Sequence, residues 1–329
     1  MAKHDSIRRV TTNARWQRRP PGSNWGDFGP DDELGRLNLI TSECVRAAAL
    51  EVREGIRFCL SLPLDLPAGN YHDLQRKAPQ LSPVVRNGRI KHNLHANPQH
   101  TDVYSDESVT LYTQFSTQWD ALAHVGSMFD ADNDGVAEVR HYNGFVGAPD
   151  VARMARTGLQ GRGVLLDLRR AFGDARRLVS YDDVMRTCDA QGVLIESGDI
   201  LCLHTGQSDV LLAQGANPHK RWLDDAFCHL DGCDERLLKW VDDSGIAAIA
   251  ADNFAVEAVP PARVEAGRAY ERLHELCLFK LGMPLGELWY LAELARWLEA
   301  NSRTRFLLTA PPLRLPGAVG SPVTPVATV

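Results

Sequence analysis

Apolar residues along the chain recur with two different periods, and the switching between them sets out the expected elements. Val45, Ala48, Ala49 and Val52 lie three or four apart, a helical stripe that Thr41 or Ser42 can cap and Gly55 can end. Phe58 to Leu66 reads as a strand. Three later runs, Gly163 to Asp167, Asp199 to His204 and Ile246 to Ala251, are short and apolar and lead into a polar residue. Strands covered on both faces, with ends that line a site, have this pattern. Helices are expected between them. One opens with the capping-box sequence Ser180-Tyr-Asp-Asp183 and ends near Gly192; another runs from Asp234 to Val241, with Gly245 closing it. Leu288, Leu291, Ala292, Ala295 and Leu298 predict a long amphipathic helix over 287–298. Phe306 to Leu308 is the last strand expected, because the tail beyond it is rich in Pro and Gly. The order β, α, β, α, β argues for an α/β fold, a mixed sheet with flanking helices.

The remaining stretches are less regular. Residues 24–38 have a Gly- and Asp-rich loop composition. Residues 67–100 are rich in Pro and Asn and carry His72, His92, His95 and His100, so a long loop or hairpin excursion is expected there, of a length that often serves as a lid. A hydrophobic content of 44% in 329 residues is enough for one large domain over 21–329, preceded by a flexible basic arm over 1–20. The net charge of −6 and the scattered Lys and Arg argue against a nucleic-acid partner. The arm lacks the apolar segment of a secretory signal, and no run approaches the ~20 apolar residues of a membrane span, so a cytoplasmic protein without a membrane partner is expected. Seven cysteines without paired spacing agree with a reducing compartment. Cys228, His229 and Cys233 match no zinc pattern and read as incidental thiols.

One stretch concentrates the candidate chemistry. In Gln114-Phe-Ser-Thr-Gln-Trp-Asp-Ala-Leu-Ala-His124 the polar Gln114, Ser116, Gln118, Asp120 and His124 occupy even positions, so an extended chain presents them on one side. A turn beginning near Asp120 would also bring Asp120 and His124 together. On the residues alone the stretch is either a site or a polar strand followed by a helix capped by Asp120. Trp119 is either pocket wall or packing. His204, at a strand end, is either a substrate contact or a satisfied imidazole, and Glu287 either complements a helix dipole or takes part in catalysis. Asp252, Asn253 and Glu257 read as structural hydrogen-bonding groups.

The stretch also resembles the motif His-x-x-Thr-His-x-Asp-Ala-x-x-His of the metal-dependent cyclase family, which includes bacterial kynurenine formamidases, isatin hydrolase and trans-dienelactone hydrolase. Further landmarks agree in order: NWG and DELGRLNLIT near the start, HYNGF at 141–145, RGVLLDL at 162–168, GDILCLHTG at 198–206, ADNFAVE at 251–257, and His274 followed by GELWYLAELA. The resemblance implies the swivelling β/β/α kynurenine-formamidase-like (cyclase) fold, a homodimer or homotetramer, and hydrolysis of an amide, lactam or lactone. It also places Gln114, Gln118 and Asp120 on metal-ligand positions, His124 on a ligand or proton-transfer position, and His274 and Glu287 on catalytic positions that complete the site. Thr117, Trp119 and His204 would then contact a small-molecule substrate. Both early histidines of the motif are glutamines here. A glutamine offers a neutral oxygen, harder and weaker than imidazole, so one divalent metal is expected, Mn²⁺ before Zn²⁺ or Mg²⁺. The competing expectations are a binding protein that has lost the metal, or a lyase or cyclase using the same Lewis acid.

Overall fold

The three apolar runs form neighbouring parallel strands, Gln160–Asp167, Ile200–His204 and Ala248–Ala251, joined on one side by a fourth parallel strand, Leu285–Glu287. The computed structural model of the chain describes residues 15–67, 76–147, 149–215 and 226–329. Antiparallel strands extend the parallel centre in both directions, giving nine strands in one sheet among the described residues. On one side Leu285–Glu287 pairs with Gln118–Asp120, which pairs with Gly320–Pro322. On the other, Gln160–Asp167 pairs with Arg305–Thr309, followed by Val326–Thr328 and Arg57–Cys59. The strands Gly320–Pro322 and Val326–Thr328 lie towards opposite edges, yet only residues 323–325 link them. An extended residue spans at most about 3.6 Å, so the sheet must curl until its edges approach. The isolated bridge between Ser61, just beyond the edge strand Arg57–Cys59, and Trp289, just beyond Leu285–Glu287, also ties the two sides of the sheet together.

The curl creates two cores. Val164 and Leu166 pack on one face with Leu201, Leu203 and Ile249, while Leu165 packs on the other with Cys202, Ala250, Trp119, Trp289 and Phe306. Alternation along each strand makes both faces apolar, as the sequence pattern required. Large rings fit the second core because small residues stand opposite them. A Cβ on Gly163 would lie 2.2 Å from the Phe306 ring, and one on Gly286 would lie 2.7 Å from the Trp289 indole nitrogen.

Local signals place several elements as expected. Thr41 caps the helix Ser42–Ala49, and Ser180 and Asp183 form the reciprocal capping box of Tyr181–Gln191, which ends at a left-handed Gly192. Asp234 caps Glu235–Asp243. Other expectations are corrected. The strand expected over 58–66 is only Arg57–Cys59, and the tail beyond 308 supplies two strands. Pro322 is tolerated because it lies on an edge strand, where a missing N–H leaves no ladder bond open. The helix expected from 287 begins at Ala292, since sheet pairing captures Leu285–Glu287 and Leu288 adopts a positive φ of 54°. In the basic arm, residues 1–14 lie outside the described residues, but Trp16 is buried against Trp25. Asn143 of the 141–145 landmark donates to the carbonyls of Gly29, Pro30 and Asp32, which holds the Gly- and Asp-rich loop to the body. His72 also lies outside the described residues. The excursion begun in that region forms hairpins extending to Thr110. No helix among the described residues is long and apolar enough to cross a membrane.

Candidate metal centre

The strand Gln118–Asp120 is buried along its whole length, and its alternation separates two roles. Trp119 points into the aromatic core, meets Trp289 edge to face at 5.0 Å between ring centroids, and donates its indole N–H to the Ala310 carbonyl. Gln118 and Asp120 point to the opposite face. There the antiparallel register sets Glu287 directly across from Gln118, and Gln118 Nε2 donates to Glu287 Oε2 at 3.0 Å. His274 reaches the same place from the short helix Arg272–His274, with Nε2 3.3 Å from Glu287 Oε1. Ligand-capable atoms of Asp120, His274 and Glu287 all lie within 4.8 Å of one another.

Three features of this cluster suit a cation. Among the described residues, Asp120 Oδ2 and Gln118 Oε1 are buried oxygens without a hydrogen-bond partner, which is costly unless something positive faces them. Burial pushes the Asp120 carboxyl above its usual range, and nearby Glu287 adds to the rise, so the site disfavours two bare carboxylates. His274 is oriented as a ligand would be: its Nδ1 lies 2.8 Å from Glu257 Oε1, which directs Nε2 towards Glu287 and Asp120. Burial alone would lower the His274 pKa, but hydrogen bonds to Glu257 and Glu287 outweigh it and raise it well above the ordinary value.

The hydrogen-bonding role that the sequence predicts for Glu257 has a purpose in the fold. Besides the His274 ring it accepts from the backbone N–H groups of Leu273 and His274, so one carboxylate fixes both the helix start and the imidazole. The only sequence signal was its place at the end of ADNFAVE. Glu257→Gln should keep the backbone bonds but weaken the bond to the ring, lowering metal affinity about 10–100-fold with little loss of fold. Calorimetric titration of the chelator-stripped variant checks this; unchanged affinity would refute it.

The other candidates are distributed unevenly. Gln114 Nε2 donates to Asp120 Oδ1 at 2.6 Å and to His124 Nδ1 at 2.7 Å, so its amide nitrogen positions these two residues. His124 follows a turn closed by its own N–H on the Ala121 carbonyl, and its Nε2 is 3.9 Å from Asp120 Oδ1. Unlike the buried cluster, the His124 side chain is partly exposed. The helix expected from Asp120 does not form. Thr117 and Trp119 are wholly buried: the Thr117 hydroxyl donates to the Leu288 carbonyl and accepts from the Leu62 N–H, so neither residue lines an open pocket.

His204 is likewise enclosed, its Nδ1 2.9 Å from Asp167 and its Nε2 3.8 Å from Asp252. Burial would depress its pKa, but Asp167 and Asp252 outweigh it and raise it above the ordinary histidine value. A raised folded pKa means the folded state holds the proton more tightly. The stabilisation is therefore complete below about pH 6.5 and is lost as pH rises through the folded value. His204→Asn should flatten this fall between neutral and alkaline pH in urea melts; an unchanged slope would contradict the pairing. Cys228 and Cys233 are buried free thiols, and neither belongs to a potential metal cluster among the described residues.

Comparison with known proteins agrees with this architecture. A crystal structure of a novel cyclase superposes with a TM-score of 0.76 at 28% identity, covering 93% of this chain and 99% of that one. Isatin hydrolase A from Labrenzia aggregata, bound to benzyl benzoate, gives 0.59 at 15% identity over 86% of this chain and 95% of its own. Isatin hydrolase A from Ralstonia solanacearum gives 0.58 at 15% identity over 87% and 97%. No curated protein matches the chain. The family model named Cyclase matches residues 60–258, a span that includes the Gln114–His124 stretch and Glu257, and the chain belongs to that family.

Proposed function

We propose that the protein is a metal-dependent hydrolase that opens a cyclic or aryl amide or ester, with lactones and lactams ahead of formamides. The observation that carries this reading is the convergence of Asp120, His274 and Glu287 beside two buried oxygens without hydrogen-bond partners, Asp120 Oδ2 and Gln118 Oε1. These four residues would hold one divalent ion. Two carboxylates, an amide oxygen and one imidazole form an oxygen-rich donor set that favours Mn²⁺ over Mg²⁺ or Zn²⁺. Such an ion supplies Lewis acidity towards a carbonyl oxygen and lets water ionise near neutral pH.

The protein's own groups then have distinct tasks. Glu257 holds the His274 ring so that Nε2 faces the donor cluster. Gln114 fixes Asp120 and the Nδ1 edge of His124, leaving His124 Nε2 as the nitrogen that exchanges protons with substrate. His124 suits that task because it lies at the open side of the cluster. The isatin hydrolases, which share the fold, make hydrolysis the reaction to test first.

The test joins metal analysis to turnover. Chelator-stripped protein is reloaded separately with Mn²⁺, Mg²⁺ and Zn²⁺ and screened against lactones, lactams, formamides and small aryl esters in isotope-labelled water. The expected result is turnover restored best by Mn²⁺, with the label incorporated into product. Product without label would replace hydrolysis by a lyase or cyclase reaction, and failure to retain any of the three metals would overturn the proposal.

A further inference from the structure

Glu257 directs the His274 ring, and two features of the backbone around its carboxylate have no local cause. The first is a left-handed turn. Ala255 and Val256, immediately before Glu257, have φ of 66° and 57°. That conformation crowds Cβ against the following carbonyl oxygen, and the β-branch of Val256 adds to the crowding. The Glu257 N–H donates back to the Ala255 carbonyl, but the other bonds that hold the turn come from a distant strand, Cys228–Leu230. The Leu230 N–H donates to the Val256 carbonyl and the Ala258 N–H to the Leu230 carbonyl, so the strand brackets Glu257. Strain of this kind persists only where the surroundings over-determine it, and it clusters at functional sites.

The second feature is a glycine. Gly232 lies two residues beyond that strand, in the turn closed by the Asp234 N–H on the Asp231 carbonyl. It is not one of the glycines with a positive φ, so its backbone would accept any side chain. A Cβ at this position, however, would lie 1.9 Å from Glu257 Oε2 and 3.1 Å from the carboxyl carbon, far inside van der Waals contact. The carboxylate has nowhere to retreat. Glu257 is 1% exposed, and its Oε2 accepts from the Leu273 N–H at 3.1 Å. Its Oε1 lies 2.8 Å from both the backbone nitrogen and the ring Nδ1 of His274.

We propose that Gly232 is a positioning residue of the metal centre, bare of a side chain so that the carboxylate delivered by the strained 255–256 turn can reach His274. The close approach and the strained turn are separate observations, and both converge on one carboxylate. With Glu257 backed against Gly232, Oε1 and His274 Nδ1 stay together, and Nε2 keeps its direction towards Glu287. The effect on metal binding rests on the reading of Asp120, His274 and Glu287 as a metal site. The contact of Gly232 with Glu257 and His274 does not.

The test uses the full chain carrying Gly232→Ala, with circular dichroism as the check of fold. Proton NMR of the metal-free protein follows the imidazole proton between His274 Nδ1 and Glu257, expected far downfield, protected from exchange, and assigned by its loss in His274→Gln. In Gly232→Ala this resonance should shift or vanish. Calorimetric titration of Mn²⁺ into chelator-stripped protein should give an affinity about 10–100-fold below wild type, the range for disturbing a group that orients a ligand. A double-mutant cycle separates positioning from packing. On a Glu257→Ala background, where the carboxylate is gone, Gly232→Ala should cost no further affinity, and that pair should fold even if Gly232→Ala alone does not. An unchanged resonance, an equal loss of affinity on both backgrounds, or a double variant that unfolds where Glu257→Ala folds would each overturn the proposal. A wild type that binds no Mn²⁺ would end the hydrolase reading and leave the resonance to decide this one.

Discussion

Asp120→Asn is expected to abolish divalent-metal uptake and, with it, turnover, while leaving the metal-free protein at least as stable as before. The three outcomes follow from one carboxylate. Asp120 is fully buried, its Oδ1 accepts from Gln114, and its Oδ2 has no partner. Asparagine keeps an oxygen for Gln114 but removes the charge. Altering a group that only orients a ligand costs about 10–100-fold in metal affinity, so removal of a direct anionic ligand should exceed that range. The stability prediction runs the other way. Burial raises the Asp120 carboxyl, so ionising it at neutral pH destabilises the metal-free fold, an effect absent with asparagine. Thermal melts with and without Mn²⁺ separate these terms: at a metal concentration about 100 times Kd, wild type should gain roughly 2.7 kcal/mol and Asp120→Asn none. Equal metal-induced stabilisation in both proteins would refute the assignment of Asp120 as a ligand. A variant already unfolded without metal would refute the account of its burial.

The second large effect concerns Trp119, a neighbour of the site that faces away from it. Trp119→Ala should destabilise the protein by about 3–5 kcal/mol, the usual cost of deleting a large buried ring, because the indole fills the core between Trp289 and the small residues of the parallel strands. Trp119→Phe keeps an aromatic partner for Trp289 and loses chiefly the bond to the Ala310 carbonyl, worth about 1 kcal/mol. Denaturant melts check both values. Under the structural assignment, Trp119→Phe changes the melt and leaves KM unchanged for each folded molecule. A raised KM with an unchanged melt would return Trp119 to the substrate pocket.

Much of the architecture is legible locally. The capping box at Ser180, the N-cap at Thr41 and the left-handed Gly192 are set by neighbours within one helical turn, and the three apolar runs are short enough to read as covered strands. The local pattern fails where a distant partner overrides it. Leu288, Leu291, Ala292 and Ala295 have helical spacing, yet Leu285–Glu287 is held by Ala248–Ala251 on one side and Gln118–Asp120 on the other. The C-terminal tail looks too rich in Pro for a sheet, but its strands pair with segments far away in sequence.

The same division holds at the candidate site. The motif and the later landmarks named Gln118, Asp120, His124, His274 and Glu287, and the resemblance supplied the order in which to look for them. That Gln118 contributes a partnerless oxygen while Gln114 spends its amide on Asp120 and His124 depends on the direction of each side chain. Residue spacing leaves that direction open. Sequence by itself determined the fold class, the main helices and the covered central strands, because caps, turns and hydrophobic period act over a few residues. Tertiary structure alone decided which face of Gln118–Asp120 meets Glu287 and that Glu257 steers His274. The first rests on strand register between segments more than a hundred residues apart and the second on a side-chain contact between separate elements, and no local periodicity carries either.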